Sequence, residues 1–446
     1  MKRLLPYANL LIGALAIGLS IVAQLQIGAG RDWLAAALFA LALLLALFAF
    51  RKAGSLDSWL PTDAVVATVK GRGWLWLGLL VPVAVSAYSI YRLDPLQPTT
   101  SFWLLHLASL ALFGVAVLLL QIASRGTSDE PPARPWTSNE RFLAVVILLI
   151  GLFLRVYRLP EFPFGVWFDE SSTAEMALRV LNEPGFRPVF VSAIYGPAHY
   201  VYLTAALFSG MGASAFVLRL ASVIIGVLTI PAGFFAGKEF FGRRGGLVVA
   251  FLIAVAHWNV NFSRIGMFNI SPPLFELLTI GFLLRGMRRG RVADYAVAGL
   301  SLGLGFNFYV AFQIFFGVIG LFIPIQLAVR SGYLRKHWKG VLVLGLGALL
   351  LLAPIADYAW TDQETFFGRT RGLSIFAEIP QERLGEALLE NTRKHLLMFN
   401  VEGDSNGRHG LPGEPELAPI VGALFVLGIG LSLARIRRAQ ALLLLL

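Results

Sequence analysis

The side chains best suited to chemistry are an adjacent acidic pair, Asp169 and Glu170, which follows a long apolar run. Apolar residues then recur between positions 174 and 181 at i, i+3, i+4 and i+7, which predicts an amphipathic helix. Beside a membrane span, such a helix would lie along the membrane surface. A carboxylate there could act as a general base or help to hold a divalent cation. The spacing alone is also consistent with a structural alternative, in which Asp169 is only the N-cap of the helix.

A second candidate segment opens at Tyr195 and runs through Gly196, Pro197 and His199 into a short apolar stretch that ends at Met211. The stretch is too short and too glycine-rich at its end to predict a full span. It indicates a re-entrant or interfacial helix. Tyr195 and His199 are candidate substrate contacts. The alternative for His199 is that it only makes hydrogen bonds at the membrane interface.

Cationic side chains at the outer ends of predicted spans are candidates for phosphate binding, because the guanidinium fork matches phosphate oxygens. Arg264 ends one such span, although a snorkelling role is equally consistent with its position. Arg219 lies near another outer helix end, where it could pair with an acid or a lipid head group.

A polar, glycine-rich stretch near the C-terminus contains Asp404, Arg408 and His409. It is typical of a flexible turn region. The functional alternative is a lid in which Arg408 binds a phosphate group while Asp404 and His409 contact other parts of a substrate.

These candidates belong to a chain of 446 residues that is 57% hydrophobic and only 14% charged. Runs of about 20 apolar residues are long enough to cross a membrane as helices, and such helices satisfy their own backbone hydrogen bonds. The sequence therefore predicts an all-α polytopic membrane protein with about twelve spans. The predicted spans are Leu4–Gln24, Trp33–Phe50, Trp74–Tyr91, Phe102–Ala123, Phe142–Leu159, Phe216–Phe240, Gly245–Phe262, Pro272–Leu284, Tyr295–Phe306, Val310–Val329, Val341–Tyr358 and Leu417–Ala434.

The net charge of +11 comes from 37 basic and 26 acidic residues. Most of the basic residues fall in short loops that alternate with the spans, which places the N-terminus in the cytoplasm by the positive-inside rule. The charge is thus a topology signal, and nucleic acid is not an expected partner. Two long segments, about 160–215 and 359–416, are then on the outer face, where short interfacial helices and the chemistry are expected. The absence of cysteine excludes disulfides and thiolate chemistry.

The domain organisation predicted from these patterns has three parts. Residues 1–123 form a four-helix module of unknown role, 124–140 a polar and proline-rich cytoplasmic linker, and 141–446 the main module. The first apolar run is expected to be a retained anchor and not a signal peptide. The terminal run of leucines suggests that the chain is truncated there. The glycines between Gly299 and Gly305 predict close helix packing.

The order of these features resembles the GT-C superfamily of membrane glycosyltransferases. Its closest branch is the protein O-mannosyltransferase-like family (glycosyltransferase family 39-like), with the lipid A aminoarabinose transferases. The likeness covers about residues 141–330, and residues 398–413 are similar to the corresponding loop of bacterial members. Residues 1–123 lie outside it. The likeness is carried by the acidic pair at 169–170, Gly196-Pro197, Phe216-Val-Leu-Arg-Leu-Ala-Ser222, Phe240-Phe-Gly-Arg-Arg244 and Ser263-Arg-Ile-Gly-Met-Phe-Asn269.

The resemblance implies transfer of a hexose or pentose from a polyprenyl-phosphate donor, with inversion, at the outer face of the cytoplasmic membrane. The acceptor would be a lipid, a glycan or a protein, with membrane lipids as surroundings. Asp169, with Glu170 beside it, matches the family carboxylate that acts as a base or positions the acceptor. Many relatives carry a second acid where this chain has Asn269, so Asn269 is at most a substrate contact.

That departure bears on metal binding and on catalytic competence, and a transport function is a separate alternative. A divalent cation, Mg²⁺ or Mn²⁺, would have to be held by Asp169 and Glu170. A polytopic transporter or lipid-sugar flippase without transferase activity is the alternative function, although the polar residues lie mainly in outer loops and not at the midplane. A catalytically inactive scaffold is the third hypothesis.

Overall fold

The computed structural model describes residues 5–30, 32–53, 64–66, 73–124, 134–372, 374–407 and 411–446. The α-helices in chain order are α1 Leu5–Gly28, α2 Asp32–Ala53, α3 Leu80–Tyr91, α4 Thr100–Ala123, α5 Ser138–Val156, α6 Phe168–Asn182, α7 His199–Met211, α8 Ala215–Val255, α9 His257–Ser263, α10 Ser271–Arg289, α11 Val292–Phe308, α12 Gln313–Val329, α13 Tyr333–Thr361, α14 Gln363–Gly372, α15 Ile375–Glu378, α16 Leu384–Leu397, α17 Pro419–Leu433 and α18 Ala439–Leu445. Short 3₁₀ helices occupy Gly73–Leu79, Ser192–Ile194, Phe268–Ile270, Val310–Phe312 and Gln381–Arg383.

Helices dominate the described residues, and the strands found there, β1 (Phe190–Val191) and β2 (Gly196–Pro197), form one two-residue antiparallel ladder. The predicted all-α polytopic class is confirmed. Helical segments that are long and apolar enough to cross a membrane number six in the described part of the chain, with four shorter apolar helices beside them. The total of twelve spans stays a prediction. The six are Gly73–Tyr91, Thr100–Ala123, Ala215–Val255, Phe268–Arg289, Val310–Val329 and Tyr333–Thr361.

Two predicted spans form a single element, α8, which folds back on itself at Gly242. The backbone there has φ 75° and ψ −179°, a conformation that is open to glycine alone among the common residues. A Cβ built on Gly237 would lie 2.8 Å from the Val249 side chain, so the two halves pack closely against each other. The predicted turn between these spans is therefore present.

The described chain divides into two compact units, residues 1–59 with 372–446 and residues 60–371. In the first unit α1 packs on α2 and α17, and the buried side chains of Gln24 and Asn400 are joined by a 2.6 Å hydrogen bond. In the second unit α10, α11 and α13 pack side by side, and α8 packs on both α5 and α10. The predicted module boundary after residue 123 stays a prediction. Residues 125–133 of the predicted linker lie outside the described residues.

The first predicted outer segment, about residues 160–215, contains both of the helices that its pattern predicts. Helix α6 begins at Phe168 and α7 begins at His199, with the β1–β2 hairpin between them. Their buried faces share one apolar cluster, which includes Met176, Val180 and Val201. Helix α4 also packs here, because the Trp103 indole donates a 3.0 Å hydrogen bond to the carbonyl of Arg187. The second outer segment carries α16, three residues shorter at its start than the predicted helix from Gln381.

Helices α11 and α13 pack closely, as predicted from the glycines between 299 and 305. A Cβ on Gly299 would lie 2.0 Å from the carbonyl oxygen of Leu344, and one on Gly303 would lie 2.9 Å from that of Ala348. Backbone atoms cannot move aside as flexible side chains can, so the glycines set how closely the two helices approach.

We expect Gly299→Ala to separate α11 from α13 and to lower the free energy of unfolding by about 1–3 kcal/mol, the usual effect of overpacking. Thermal unfolding in detergent measures the loss. Gly345→Ala is the matched control, since a Cβ on this α13 glycine meets nothing within 4 Å. Equal stability of the two variants would contradict the packing argument.

Candidate active site

The two acids of the pair have different surroundings, and the contacts of Glu170 are structural. Its side chain is fully buried, and its Oε1 accepts hydrogen bonds from the Gly266 amide at 2.7 Å and from Arg219 Nε at 3.1 Å. Its Oε2 accepts the Trp167 amide at 3.0 Å and Arg219 Nη2 at 3.4 Å. One carboxylate thus closes the N-terminus of α6 and holds it to the loop that follows α9. Gly266 is required at this contact, because a Cβ there would lie 2.7 Å from Leu218 and 3.2 Å from Glu170.

Arg219 is the cationic partner of Glu170 and is 1% exposed. Besides the ion pair, its guanidinium donates to the carbonyl of Leu159 at 3.0 Å and to that of Gly165. The chain between α5 and α6 is therefore tied to α8 at the same place. The predicted pairing of Arg219 with an acid is confirmed.

Two further arginines bind backbone carbonyls at helix ends. Arg155 is fully buried in α5 and donates to the carbonyls of Ala254 and Ile253, at 2.9 and 3.0 Å, where α8 ends. Arg264 donates to the carbonyls of Leu154 and Phe162, at 2.9 and 3.1 Å, at and beyond the end of α5. Burial and the nearby charge of Arg219 lower the pKa of Arg264. The phosphate-binding role of Arg264 stays a prediction, and these contacts give it a structural role.

Asp169 lies in the first turn of α6, as its second residue. The N-cap is Trp167, so the alternative in which Asp169 is the N-cap is wrong. The Asp169 carbonyl accepts a 2.9 Å hydrogen bond from the Thr173 hydroxyl, and the residue is partly exposed, in contrast to the buried Glu170. The fold thus fixes the backbone of Asp169 through its neighbour and leaves its carboxylate partly accessible.

A second set of polar contacts holds the loop that carries Asn269. The buried hydroxyls of Tyr200 and Ser222 are 2.6 Å apart, and Ser222 donates to the Met267 carbonyl at 3.1 Å. The Phe268 ring contacts the rings of Tyr200 and Tyr309, with centroids 6.3 and 5.2 Å apart. Burial raises the pKa of Tyr200, so its phenol stays protonated. Asn269 is therefore presented by a loop anchored at both α7 and α8.

Two buried polar atoms around this loop, Asn269 Oδ1 and His199 Nδ1, lack hydrogen-bond partners in the described part of the chain. Glu276 is partly buried nearby, in the second turn of α10. Burial lowers the pKa of His199 to about 4, so its imidazole is neutral near pH 7. Phe308 connects this region, since its ring contacts both His199 and Phe275, the residue before Glu276. Buried polar atoms without partners are costly, so these two are candidates for contacts to a ligand.

Tyr195 takes the left-handed conformation, with φ 48° and ψ 42°, at the tip of the β1–β2 hairpin. Such a conformation is strained for a residue other than glycine and is often found at binding sites. Its half-exposed ring lies under the guanidinium of Arg369 from α14, 5.4 Å from the ring centroid. Arg369 also acts on the Tyr309 phenol, whose pKa burial raises and the arginine charge lowers. Arg369 thus lies over the first outer segment.

The other predicted contacts are in a different part of the chain. Asp404 belongs to the first unit, where its Oδ1 accepts a 2.9 Å hydrogen bond from the Asn406 amide in a local turn. Arg408 and His409 lie outside the described residues. The roles predicted for these three residues stay predictions.

The side chains present do not fit a divalent cation held by the acidic pair. Both oxygens of Glu170 accept N–H donors and face Arg219, which leaves no lone pair directed at a metal. Among the described residues there is no cluster of three or more His, Asp and Glu side chains with metal-binding geometry.

Sequence reasoning missed Arg155 and Arg369. Arg155 had a signal, because an arginine inside a predicted span must face a polar partner. Arg369 had none, since its distance from Tyr195 along the chain gives no hint of their contact.

Replacing Glu170 by alanine would leave Arg219 buried without its carboxylate, so we expect a loss of about 3–5 kcal/mol in unfolding free energy. Thermal unfolding in detergent reports the change. Glu175→Ala, at an exposed position on the same helix, should alter stability by less than about 0.5 kcal/mol. A Glu170→Ala protein as stable as this control would disprove the anchoring role.

Comparison with known proteins places this geometry in context. Residues 196–360 match the family model described as dolichyl-phosphate-mannose-protein mannosyltransferase. The chain is similar to the undecaprenyl phosphate-alpha-4-amino-4-deoxy-L-arabinose arabinosyl transferase 2 of Pseudomonas fluorescens, with 26% identity over 223 residues, 48% of this chain and 39% of that protein. It is 23% identical over 228 residues, 49% of this chain and 39% of the relative, to the corresponding transferase of Pseudomonas aeruginosa strain UCBPP-PA14.

A solved structure is also similar, ArnT from Cupriavidus metallidurans bound to undecaprenyl phosphate, with a TM-score of 0.41 and 14% identity over 69% of this chain and 57% of that one. The chain spans about two fifths of the length of the curated relatives it matches. The predicted resemblance to the GT-C superfamily of membrane glycosyltransferases, in the branch of the protein O-mannosyltransferases and aminoarabinose transferases, is confirmed by the family model and the curated relatives.

Proposed function

We propose that the protein is a membrane glycosyltransferase that moves a sugar from a polyprenyl-phosphate donor to an acceptor, with inversion at the anomeric carbon. The proposal rests on the way in which neighbouring residues hold Asp169 in position. A buried ion pair fixes the first turn of its helix to the loop of Asn269, whose buried Oδ1 has no hydrogen-bond partner among the described residues. The transferases named above act on undecaprenyl-phosphate-linked aminoarabinose, which supports a donor of this class.

In this proposal Asp169 is the general base. The acceptor hydroxyl attacks the anomeric carbon from the face opposite the phosphate, and Asp169 accepts its proton as the new C–O bond forms. The bond between the anomeric carbon and the phosphate oxygen breaks, and the electron pair leaves with the polyprenyl phosphate. His199 is a neutral hydrogen-bonding residue here, because a pKa of about 4 leaves little imidazolium to donate a proton near pH 7.

Arg369 is the side chain that we assign to the leaving phosphate. It is exposed and contacts Tyr195, and it makes no ion pair within the described residues. Arg264 and Arg219, in contrast, spend their N–H donors on carbonyls and on Glu170. A cation that is not already neutralised stabilises the negative charge that develops on the leaving group.

The reaction would take place on the outer face of the cytoplasmic membrane, with the N-terminus inside. The distribution of basic residues over the loops supports this orientation. Transport or flipping of a lipid-linked sugar without transfer is the alternative. The partly buried Glu276 favours it, because carboxylates inside candidate spans often line translocation pathways.

We expect Asp169→Asn to lower the rate of sugar transfer by about 10²–10⁴-fold, the range for loss of a general base, with stability unchanged. The assay follows a labelled undecaprenyl-phosphate sugar with purified protein and a panel of acceptors. Glu175→Gln, at an exposed position farther along the same helix, should retain full activity. Full transfer by Asp169→Asn would remove Asp169 as the base, and flux in liposomes with no turnover of any donor would favour transport.

Arg369→Ala should weaken binding of undecaprenyl phosphate roughly tenfold, because a charge-assisted hydrogen bond to phosphate is lost. Arg369→Lys should recover only part of the affinity, since lysine lacks the fork. Arg371→Ala is the matched control, a neighbouring exposed arginine whose ring contact is with Phe367 and not with Tyr195. Equal dissociation constants for the Arg369→Ala and Arg371→Ala proteins would refute the assignment.

A further inference from the structure

A cavity of about 550 Å³ opens in the second unit beside the C-terminal half of α6. Its walls come from three regions: residues 96–98 in the turn between α3 and α4, residues 176–193 from α6 to the β1–β2 hairpin, and residues 358–365 from the end of α13 into α14. The volume is within the range of about 300–1,000 Å³ that is usual for small-molecule sites.

The cavity is separate from the Asp169 end of the candidate active site, although its lining residues Ser192 and Thr365 are only three and four positions from Tyr195 and Arg369. Arg179, which lines it, is ten residues after Asp169 on the same helix, and a rise of 1.5 Å per residue puts the two about 15 Å apart. Most of the lining, including the whole contribution of residues 96–98, precedes the segment that matches the family model. The mannosyltransferase domain match therefore says nothing about this cavity.

Anchors beneath the cavity hold its wall in place. The Trp103 indole donates to the Arg187 carbonyl at 3.0 Å, and the Tyr202 hydroxyl donates to the Pro188 carbonyl at 2.9 Å. Arg187 itself donates to the carbonyls of Phe186 and Val180, at 2.8 and 2.9 Å. The cavity wall thus joins α4, α6 and α7 through directed hydrogen bonds, as expected for a preformed site.

The charges that line the cavity are balanced within it. Arg179 makes a two-point ion pair with Glu183, with both N–O distances 3.0 Å, and that pairing lowers the pKa of Glu183. Asp362 accepts hydrogen bonds from the Thr365 amide at 3.1 Å and the Tyr358 hydroxyl at 3.3 Å, and its pKa is lowered mainly by Thr365. The two arginines and two acids of the lining give it no net charge, so it has no excess attraction for a ligand of either sign.

Aromatic rings supply the apolar part of the same cavity. Phe190 and Tyr358 are stacked, with centroids 5.0 Å apart and planes at 28°, and Arg179 lies 4.1 Å above the Phe186 ring. Phe190 and Tyr358 are each only 5% exposed, so the lining offers small apolar areas beside hydrogen-bond acceptors and donors. A neutral sugar has the complementary chemistry, because one face of its ring carries C–H groups while its hydroxyls both donate and accept.

We propose that this cavity binds a neutral carbohydrate. Its use as the docking site for a glycan acceptor rests on the proposed transferase function, whereas the binding itself does not. A peptide acceptor fits less well, because extended peptides commonly bind by adding a strand to an exposed sheet edge. The β1–β2 ladder beside the cavity is only two residues long.

The test uses the full chain in lipid nanodiscs and measures saturation-transfer NMR with mannotriose, maltotriose and chitotriose, and with a Ser/Thr tripeptide for comparison. Ser192→Trp should fill the cavity from its exposed rim and weaken binding of the preferred trisaccharide at least tenfold. Asp362→Asn, in which the amide oxygen can keep the cap on Thr365, should weaken it several-fold. Gln363→Trp is the matched control, an exposed residue of α14 outside the cavity lining.

Undecaprenyl phosphate binding is measured on the same samples and should be unchanged in all three variants. Binding of a trisaccharide that Ser192→Trp removes and Gln363→Trp spares supports the proposal. The proposal is overturned if no trisaccharide binds, if the tripeptide binds more tightly, or if Ser192→Trp binds as the unmodified protein does. Failure of the proposed transferase function would be distinguishable, because undecaprenyl phosphate would then not bind while the carbohydrate still did.

Discussion

The buried ion pair of Glu170 and Arg219 is the contact on which the candidate site depends. A carboxylate that is fully removed from water must be paired and hydrogen-bonded, or its burial costs several kcal/mol. Glu170 meets this requirement with donors from three segments of the chain: its own helix start, α8 and the loop after α9. Because the four donors converge on one carboxylate, the position of Asp169 relative to Asn269 is fixed by the same atoms that remove the desolvation penalty.

Helix ends explain why so many arginines here are structural. The last carbonyls of a helix have no partner within it, and in an apolar environment they need donors from elsewhere. A guanidinium carries five N–H donors and stays charged, so one arginine can satisfy several carbonyls at once. Arg155 does so where α8 ends, and Arg264 does so where α5 ends. An arginine assigned to a ligand should be one whose donors are not already used, and Arg369 meets that condition among the described residues.

Helices before the matched domain also help to hold the segment between α5 and α8 in place. Trp103 on α4 contacts His199 and Tyr202 on α7, with ring centroids 6.0 and 5.6 Å apart, and binds the Arg187 carbonyl. The turn between α3 and α4 then closes one wall of the cavity proposed to bind carbohydrate. Helices α3 and α4 therefore help to position the first predicted outer segment. The sequence alone assigned these two helices no role.

The sequence by itself determined the all-helical class, the surface helix after Phe168, the short helix at His199 and the reason for the glycines near Gly299. Each of these follows from local hydrophobic periodicity or from the size of a single residue, which any window of the chain displays. Only the tertiary structure decided that Glu170 is the anchor and Asp169 the accessible carboxylate. Adjacent residues of a helix point about 100° apart, and which one meets Arg219, 49 positions later, is set by packing. For the same reason the structural use of Arg264 and the contact of Arg369 with Tyr195 could not be predicted from spacing.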